Sequence, residues 1–248
     1  MTWPRLVRAE LRKLTSTRMP WAFVVVLVAI SAMTAVAVIY GTDMDGSKAF
    51  IATAADQRSL MAFSWNAVMG ASLFGAVAVA REYGHGTVVP TFLVEPRRCR
   101  AVAAQFTAVL LAGGLLGLVG AALTVLGVAA SLPTTDYGFM ESAGGVAAVL
   151  AASAFSGAAG ALLGAGIGAV VRNTGGAVTG VVLMLIFAPP LIVQMANGAA
   201  SWVPSTLANV LAGVSHEVSR PAALVALAAW AIVPALIGLV SVQKRDVV

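Results

Sequence analysis

The stretch WAFVVVLVAISAMTAVAVIY, residues 21–40, contains no charged side chain and is long enough to decide the fold class. In an α-helix, about 20 apolar residues cross the roughly 30 Å hydrocarbon core of a bilayer. The whole chain shares this character, since 60% of its 248 residues are hydrophobic and 10% are charged. A soluble domain has about 25% charged residues, and a membrane barrel shows alternating segments of about 10 residues. The sequence therefore predicts an all-α integral membrane protein.

Six apolar runs of this length divide the chain, and the connectors between them are too short to form a soluble domain. We expect a single transmembrane domain over residues 1–248, with six spans at about 21–40, 59–80, 101–130, 144–171, 176–195 and 221–242. A cleavable signal peptide is the alternative for the first run. Its apolar length exceeds the about 7–15 residues typical of a signal peptide, so we expect a retained helix.

Two features modify the fifth span and the segment that follows it. The pair Pro189-Pro190 predicts a break or kink near the end of the span, because proline lacks the N–H that a helix requires. Residues 196–213 are partly apolar and predict an external re-entrant or interfacial helix pair. In this interpretation Trp202 lies at the depth of the lipid headgroups.

The basic residues are distributed unevenly among the connectors. Twelve of the fifteen lysines and arginines precede the first span, lie in residues 81–100, or follow the fourth and sixth spans. The other three are Lys48, Arg58 and Arg220, and six of the ten acidic residues share their predicted side. Because basic connectors stay in the cytoplasm, we expect both termini to be cytoplasmic.

Residues 1–20 predict an amphipathic helix in the inner headgroup layer, with a disordered basic leader as the alternative. The apolar and basic side chains occupy different helical faces: Trp3, Val7, Leu11 and Leu14 against Arg5, Arg8, Arg12 and Lys13.

None of the six predicted spans contains Asp, Glu, Lys, Arg or His. Such groups mark proton relays and ion sites, so the sequence argues against a carrier driven by an ion gradient. The sequence has no GxxxxGK[ST] phosphate loop and no HExxH motif, and His85 and His216 fall on opposite predicted sides. We therefore expect no catalytic residues, no metal and no cofactor in this chain. The single cysteine, Cys99, excludes an internal disulfide.

Small residues recur in the spans at the spacing typical of close helix packing: Gly113/Gly117, Gly160/Gly164/Gly168 and Gly176/Gly180. They predict a tight bundle. Polar and Met-rich positions in spans two and five are candidates for a substrate path: Trp65, Asn66, Met69, Ser72, Met184 and Phe187. Ordinary packing inside the bundle is the alternative for these six residues.

Between spans two and three lies REYGHGTVVPTFLVEPRRCR, residues 81–100, which is more polar than a connector requires. Gly84 and Gly86 permit a sharp turn, Thr87 is a candidate helix cap, and Pro90 is tolerated in a first helical turn. An apolar stripe follows, then a proline and a basic return: Val88, Val89, Phe92 and Leu93, then Pro96, then Arg97, Arg98 and Arg100. The pattern predicts a short helix that either enters a groove on a partner or rests on the membrane or bundle.

The run Glu82-Tyr83-Gly84-His85-Gly86-Thr87, followed by Pro96-Arg97-Arg98, resembles the first cytosolic loop of type-2 ATP-binding-cassette (ABC) transporter permeases. Two further runs resemble that family, Arg172-Asn173-Thr174 after span four and Trp202-Val203-Pro204-Ser205 in the outer segment. The order of the elements is similar along the whole chain. One departure is Gln105, at a place near the start of span three where the family often has a lysine.

This resemblance implies that residues 81–100 form a coupling helix docked in a cleft of a separate cytosolic ATPase, which would hold the ATP and Mg²⁺. It also implies two permease copies, identical or related, in a bacterial cytoplasmic membrane, with spans one, two and five along the path. The residues that it assigns to coupling are Glu82, Tyr83, Gly86, Thr87, Val89, Phe92, Leu93, Arg97 and Arg98.

On this basis we expect a noncatalytic permease subunit of an exporter for an amphiphilic or hydrophobic substrate, such as a drug or antibiotic, natural product, lipid or peptide. The alternative is a membrane anchor that recruits an ATPase without transporting anything. Membrane lipid is an expected partner and nucleic acid is not, because no soluble face combines a basic patch with interleaved aromatic residues.

Overall fold

A computed structural model describes residues 2–84, 86–95, 97–196 and 198–244. This part of the chain is helical and contains no β-strand. Its α-helices are α1 (Trp3–Thr15), α2 (Met19–Tyr40), α3 (Ala54–Met61), α4 (Ser64–Gly84), α5 (Val88–Val94), α6 (Arg98–Ser131), α7 (Ala143–Val171), α8 (Thr174–Val182), α9 (Ala188–Met195), α10 (Pro204–Ala212) and α11 (Arg220–Lys244).

Within the described residues, six helical segments are long and apolar enough to cross a membrane: Met19–Tyr40, Ala54–Gly84, Arg98–Thr134, Ala143–Val171, Thr174–Met195 and Arg220–Lys244. The predicted all-α class and the six spans are confirmed at this level. Most boundaries agree with the prediction within a few residues.

The second and third spans depart most from the predicted boundaries. The second begins earlier, as α3, and is interrupted at Ala62, whose extended backbone (φ −68°, ψ 93°) separates α3 from α4. The third, α6, has 34 residues and is therefore about 51 Å long. Since the hydrocarbon core is roughly 30 Å thick, α6 must either tilt within it or extend beyond it.

The double proline does not break the fifth span. α8 and α9 are joined by a π-helical segment, Leu183–Phe187, and the helix continues to Met195. Pro189 and Pro190 cannot donate to carbonyls one turn earlier, and a wider turn at that point accommodates the missing hydrogen bonds. A local change of hydrogen-bond pattern therefore replaces the predicted break.

The outer segment after α9 folds back into the bundle. A 3₁₀ turn, Ala199–Trp202, leads into α10, which packs on α4, α7 and α11. Leu207 of α10 is fully buried, while Trp202 is 48% exposed and accepts a hydrogen bond on its carbonyl oxygen from Trp230 Nε1 (3.0 Å). The helix predicted in this segment is present as α10, and its depth in the membrane stays a prediction.

The centre of the bundle is the contact between α4 and α7, where backbone meets backbone. A Cβ atom added to Gly164 of α7 would overlap the carbonyl oxygen of Ser72, and one added to Gly75 of α4 would overlap that of Ala161. Gly117 of α6 makes a similar approach to α7. These small residues let three helix backbones approach each other, as their spacing predicted.

The fourth predicted pair, Gly176 and Gly180, behaves differently. Its neighbours are the side chains of Val171 and Ile167 rather than a backbone. α8 is therefore held less closely than α4, α6 and α7.

Charged residues separate to the two ends of the bundle. One end is here called the basic end. It contains α1, α5, the first turns of α6 and the last turns of α4, α7 and α11. The contacts between Lys13 and Glu82 and between Gln243 and Cys99 join these elements. At the opposite end Arg58 forms a bidentate ion pair with Glu141, at 2.8 Å for both hydrogen bonds. The predicted partition of basic residues between two sides agrees with this arrangement.

The opposite end is closed by side chains that connect distant loops. Gln57 is fully buried and donates to the carbonyl oxygens of Ile51 and Gly138, while its own oxygen accepts from the Met140 backbone (2.9 Å). Together with the Arg58–Glu141 pair, Gln57 fixes the α6–α7 connector on α3.

We expect the substitution Gly164→Ala to destabilise the bundle, because the new methyl group forces α7 away from the Ser72 carbonyl. Gly70→Ala on α4 is the matched control, since nothing lies within 4 Å of its added Cβ. Alanine is favoured over glycine in a helix by about 1 kcal/mol, so the control is expected to be neutral or stabilising. Thermal unfolding in detergent measures both, and equal midpoints would contradict this packing.

The ion pair at the opposite end predicts a pH dependence. Hydrogen bonds from Arg58 hold the pKa of the Glu141 carboxyl below its ordinary value. The pair therefore stabilises the fold above the unfolded pKa, about 4.3, and this contribution is lost as the pH falls through the lower folded pKa.

We expect the stability advantage of the wild type over Glu141→Gln to shrink as the pH is lowered below about 4.3. The comparison is made by thermal unfolding across a pH series. Glu217→Gln, at an exposed carboxyl of the same end, is the control and is expected to show no such trend. An advantage that is constant over the acidic range would show that the Glu141 charge contributes nothing.

Candidate functional site

The helix predicted at residues 1–20 is present as α1, which packs on α6, while its position in the headgroup layer stays a prediction. Its innermost side chains are Leu6 and Glu10, both less than 8% exposed. Trp3, predicted to belong to the apolar face, is 40% exposed. A carboxylate thus lies on the face that the hydrophobic pattern assigned to lipid or protein, and it requires a partner there.

The partner of Glu10 is Lys13, which connects three helices. The Lys13 ammonium lies 2.7 Å from Glu10 on its own helix, 3.6 Å from Glu82 at the end of α4, and 2.9 Å from the Thr91 hydroxyl on α5. Gln105 of α6 is 6% exposed and lies beside Glu82. One ammonium group therefore holds the N-terminal helix, the end of the second span and the loop helix together.

The loop helix follows a tight turn. Gly86 adopts φ 67°, a left-handed conformation that favours glycine, as the predicted sharp turn requires. Thr87 precedes α5 but does not cap it: its hydroxyl donates instead to the Glu82 carbonyl oxygen (3.3 Å). The capping prediction is wrong because the hydroxyl serves the end of α4. Pro90 lies in the first turn of α5, as expected.

Two adjacent residues of the predicted apolar stripe point in different directions. Phe92 is partly buried against the cluster that includes Val102 and Phe106, and the Arg98 guanidinium lies 5.8 Å from its ring centre. Leu93 is 79% exposed. Phe92 therefore anchors α5 to the bundle, while Leu93 is free to contact another molecule.

The return from the loop is basic and partly paired. Glu95 is 5% exposed and lies 3.8 Å from Arg100, and the Arg97 side chain is exposed. His85 and Pro96 lie outside the described residues. Val89, which the resemblance assigned to coupling, lies in α5, but the description does not extend to its side chain.

Tyr83, at the end of α4, connects the loop to two further spans. The Arg172 guanidinium lies 5.2 Å from the Tyr83 ring centre and donates to the Ser241 carbonyl oxygen on α11 (3.4 Å). Arg172 itself has φ 57°, a conformation disfavoured for residues other than glycine. Asn173 then caps α8 through the Gly176 N–H (3.0 Å), which gives the Arg-Asn-Thr run a local structural role.

The six candidate path residues do not share one cavity. Asn66 and Met69 line a cavity of about 280 Å³ with Phe23 and Leu27 of α2. Met184 lines another, of about 390 Å³, with Trp202 and Trp230.

The remaining candidates are placed differently. Trp65 packs against the same buried cluster as Met69 and Met184. Ser72 is fully buried, and its hydroxyl donates to the Val68 carbonyl oxygen of the same helix. Its own carbonyl lies against Gly164 of α7, so Ser72 belongs to the α4–α7 contact. Phe187 is 58% exposed on the outside of the bundle.

Sequence reasoning missed four residues that gather around Glu82 and Lys13: Glu10, Lys13, Thr91 and Gln105. Glu10 and Lys13 are neighbours on α1, but Thr91 is 78 residues away from Lys13 along the chain. A charged residue on the apolar side of an amphipathic pattern, such as Glu10, is the available sequence signal for such a pairing.

In the described part of the chain, His, Cys, Asp and Glu side chains form no group that could hold a metal ion. No protein-family model and no curated protein matches this chain.

We expect Lys13→Met to lower the free energy of unfolding by about 1–3 kcal/mol, because Glu10 and Glu82 would remain in place without their ammonium partner. Arg12→Met is the matched control, since Arg12 is exposed and has no ion-pair partner among the described residues. Adding Glu82→Gln to Lys13→Met should recover part of the loss. Equal unfolding midpoints for the two methionine variants would contradict the assigned role of Lys13.

Proposed function

We propose that the chain is the membrane-spanning permease subunit of an ATP-driven exporter, powered by a separate ATPase on the side of the basic end. The observation that carries the proposal is the exposed Leu93 on a helix fixed at both ends. A short helix with an exposed apolar residue suits a groove on a partner protein. The resemblance of residues 82–98 to the coupling loop of type-2 ABC permeases supports this interpretation.

A few side-chain contacts connect Leu93 to the spans and could transmit a force applied to it. Phe92 packs beside Leu93 on the bundle, and Thr91 contacts Lys13, which contacts Glu82 at the end of α4. A partner that displaced α5 would therefore move α1 and α4 with it. α4 packs extensively on α7, so such a movement would involve the centre of the bundle.

The substrate class follows from the interior of the spans. The predicted spans contain no ionisable residue, and the cavity between α2 and α4 is lined mainly by apolar side chains, with Asn66 and Met69 among them. Such a lining suits an amphiphilic or hydrophobic compound. We propose that this cavity forms part of the path, in a bacterial cytoplasmic membrane with both termini in the cytoplasm and a second permease copy completing the pathway.

The second candidate function is a membrane anchor that recruits an ATPase without transport. The same Leu93 surface favours it, because binding a partner needs only the loop. The two functions differ in reconstituted vesicles that contain the permease and an ATPase that co-purifies with it. ATP-dependent movement of an amphiphilic dye supports the exporter, and ATPase binding without movement of any compound supports the anchor.

We expect Leu93→Asp to abolish co-purification of that ATPase, because a carboxylate cannot replace an apolar side chain in a groove. The fold should survive, since Leu93 is 79% exposed. Met44→Asp, at a fully exposed methionine of the opposite end, is the matched control and should retain the ATPase. An intact complex with Leu93→Asp would eliminate this surface as the docking site.

A further inference from the structure

A cavity of about 490 Å³ lies at the elbow between α1 and α2, against the side of α6. Leu11 and Leu14 of α1, Trp21 of α2, and Leu111 and Leu115 of α6 form much of its wall, and its surface is almost wholly apolar. Its size falls in the range of about 300–1,000 Å³ that is usual for ligand pockets.

The cavity opens on the outer surface of the bundle, where a surrounding bilayer would bring lipid to it. Trp21 is 69% exposed, Leu115 is 61% exposed and Leu111 is 50% exposed, and all three lie on spans. α1 contributes the wall nearest the basic end. A hydrocarbon chain entering from the bilayer would therefore find the cavity just beneath the amphipathic helix, where an apolar lining offers water no partners.

Three arginines are close in sequence to residues that line this cavity. Arg8 and Arg12 lie within one helical turn of Leu11, which lines the cavity, and Arg18 precedes Pro20 and Trp21 at the elbow. All three arginines are exposed and have no ion-pair partner among the described residues. The acidic residue of α1, Glu10, does not neutralise these arginines, because it faces the bundle and pairs with Lys13.

We propose that the elbow cavity, defined by Leu11, Leu14, Trp21, Leu111 and Leu115, binds one anionic phospholipid. An acyl chain fills the cavity and the phosphate is held by Arg8, Arg12 and Arg18. The negative headgroup complements three arginines that have no ion-pair partner in the part of the chain that the structure describes, whereas the choline group of a zwitterionic lipid offsets that attraction. This site does not depend on the transporter proposal, since it requires only a bilayer around the spans.

The headgroup part of the site is tested by fluorescence quenching in the full chain reconstituted in phosphatidylcholine. Brominated-chain phosphatidylglycerol or brominated phosphatidylcholine is added, and the Trp21 contribution is the difference between wild type and Trp21→Phe. We expect phosphatidylglycerol to quench Trp21 at a lower mole fraction than phosphatidylcholine. Arg8→Gln and Arg18→Gln should each weaken this preference about fivefold, whereas Arg220→Gln at the opposite end should leave it unchanged.

The acyl-chain part is tested by filling the cavity. Leu111→Phe with Leu115→Phe should remove the preference for phosphatidylglycerol, whereas Leu118→Phe with Leu126→Phe, at exposed positions of α6 outside the cavity, should retain it. All four leucines are exposed to lipid, so both double variants should fold. Equal quenching of the wild type by the two lipids, or equal loss in both double variants, would overturn the proposal.

Discussion

The close approach of the α4 and α7 backbones is the constraint on which the rest of the structure depends. Inside a bilayer the hydrophobic effect does not favour one helix neighbour over lipid, so helices associate through van der Waals contact and hydrogen bonds. Gly75 and Gly164 remove the side chains that would hold these two helices apart. Once α4 and α7 are fixed, α6 and α11 pack on α7, and the outer surfaces of α2 and α9 remain open to lipid or to another subunit.

The packing of α4 on α7 also fixes the positions of residues at the basic end. The last turn of α4 carries Glu82 and Tyr83, so both residues are fixed by the packing of the span that precedes them. Lys13 and Arg172 reach them from α1 and from the end of α7. The loop helix is thus attached to the end of α4, to the buried cluster under Phe92 and to the N-terminal helix, and Leu93 projects from the bundle. A surface with this support is suited to transmitting force as well as to binding.

The different faces of the N-terminal helix α1 have different surroundings. One face carries Leu6 and Glu10 into the bundle, a second carries Leu11 and Leu14 towards the elbow cavity, and a third exposes Arg8 and Arg12. The division follows from helical geometry, because residues three or four positions apart share a face. A bound anionic lipid would therefore stabilise the helix that Lys13 fastens to the loop.

The sequence by itself determined the class of the protein, the number of its spans and the separation of its charges. These properties follow from the length of apolar runs and the composition of the connectors, which are local. Tertiary structure decided which helices touch, that α10 enters the bundle, and that Phe92 faces inward while Leu93 faces outward. It also decided the partners of Lys13, since Thr91 lies far along the chain and no local pattern relates the two residues. Pairings of this kind depend on how helices pack in three dimensions, and for that reason hydrophobic periodicity alone did not reveal them.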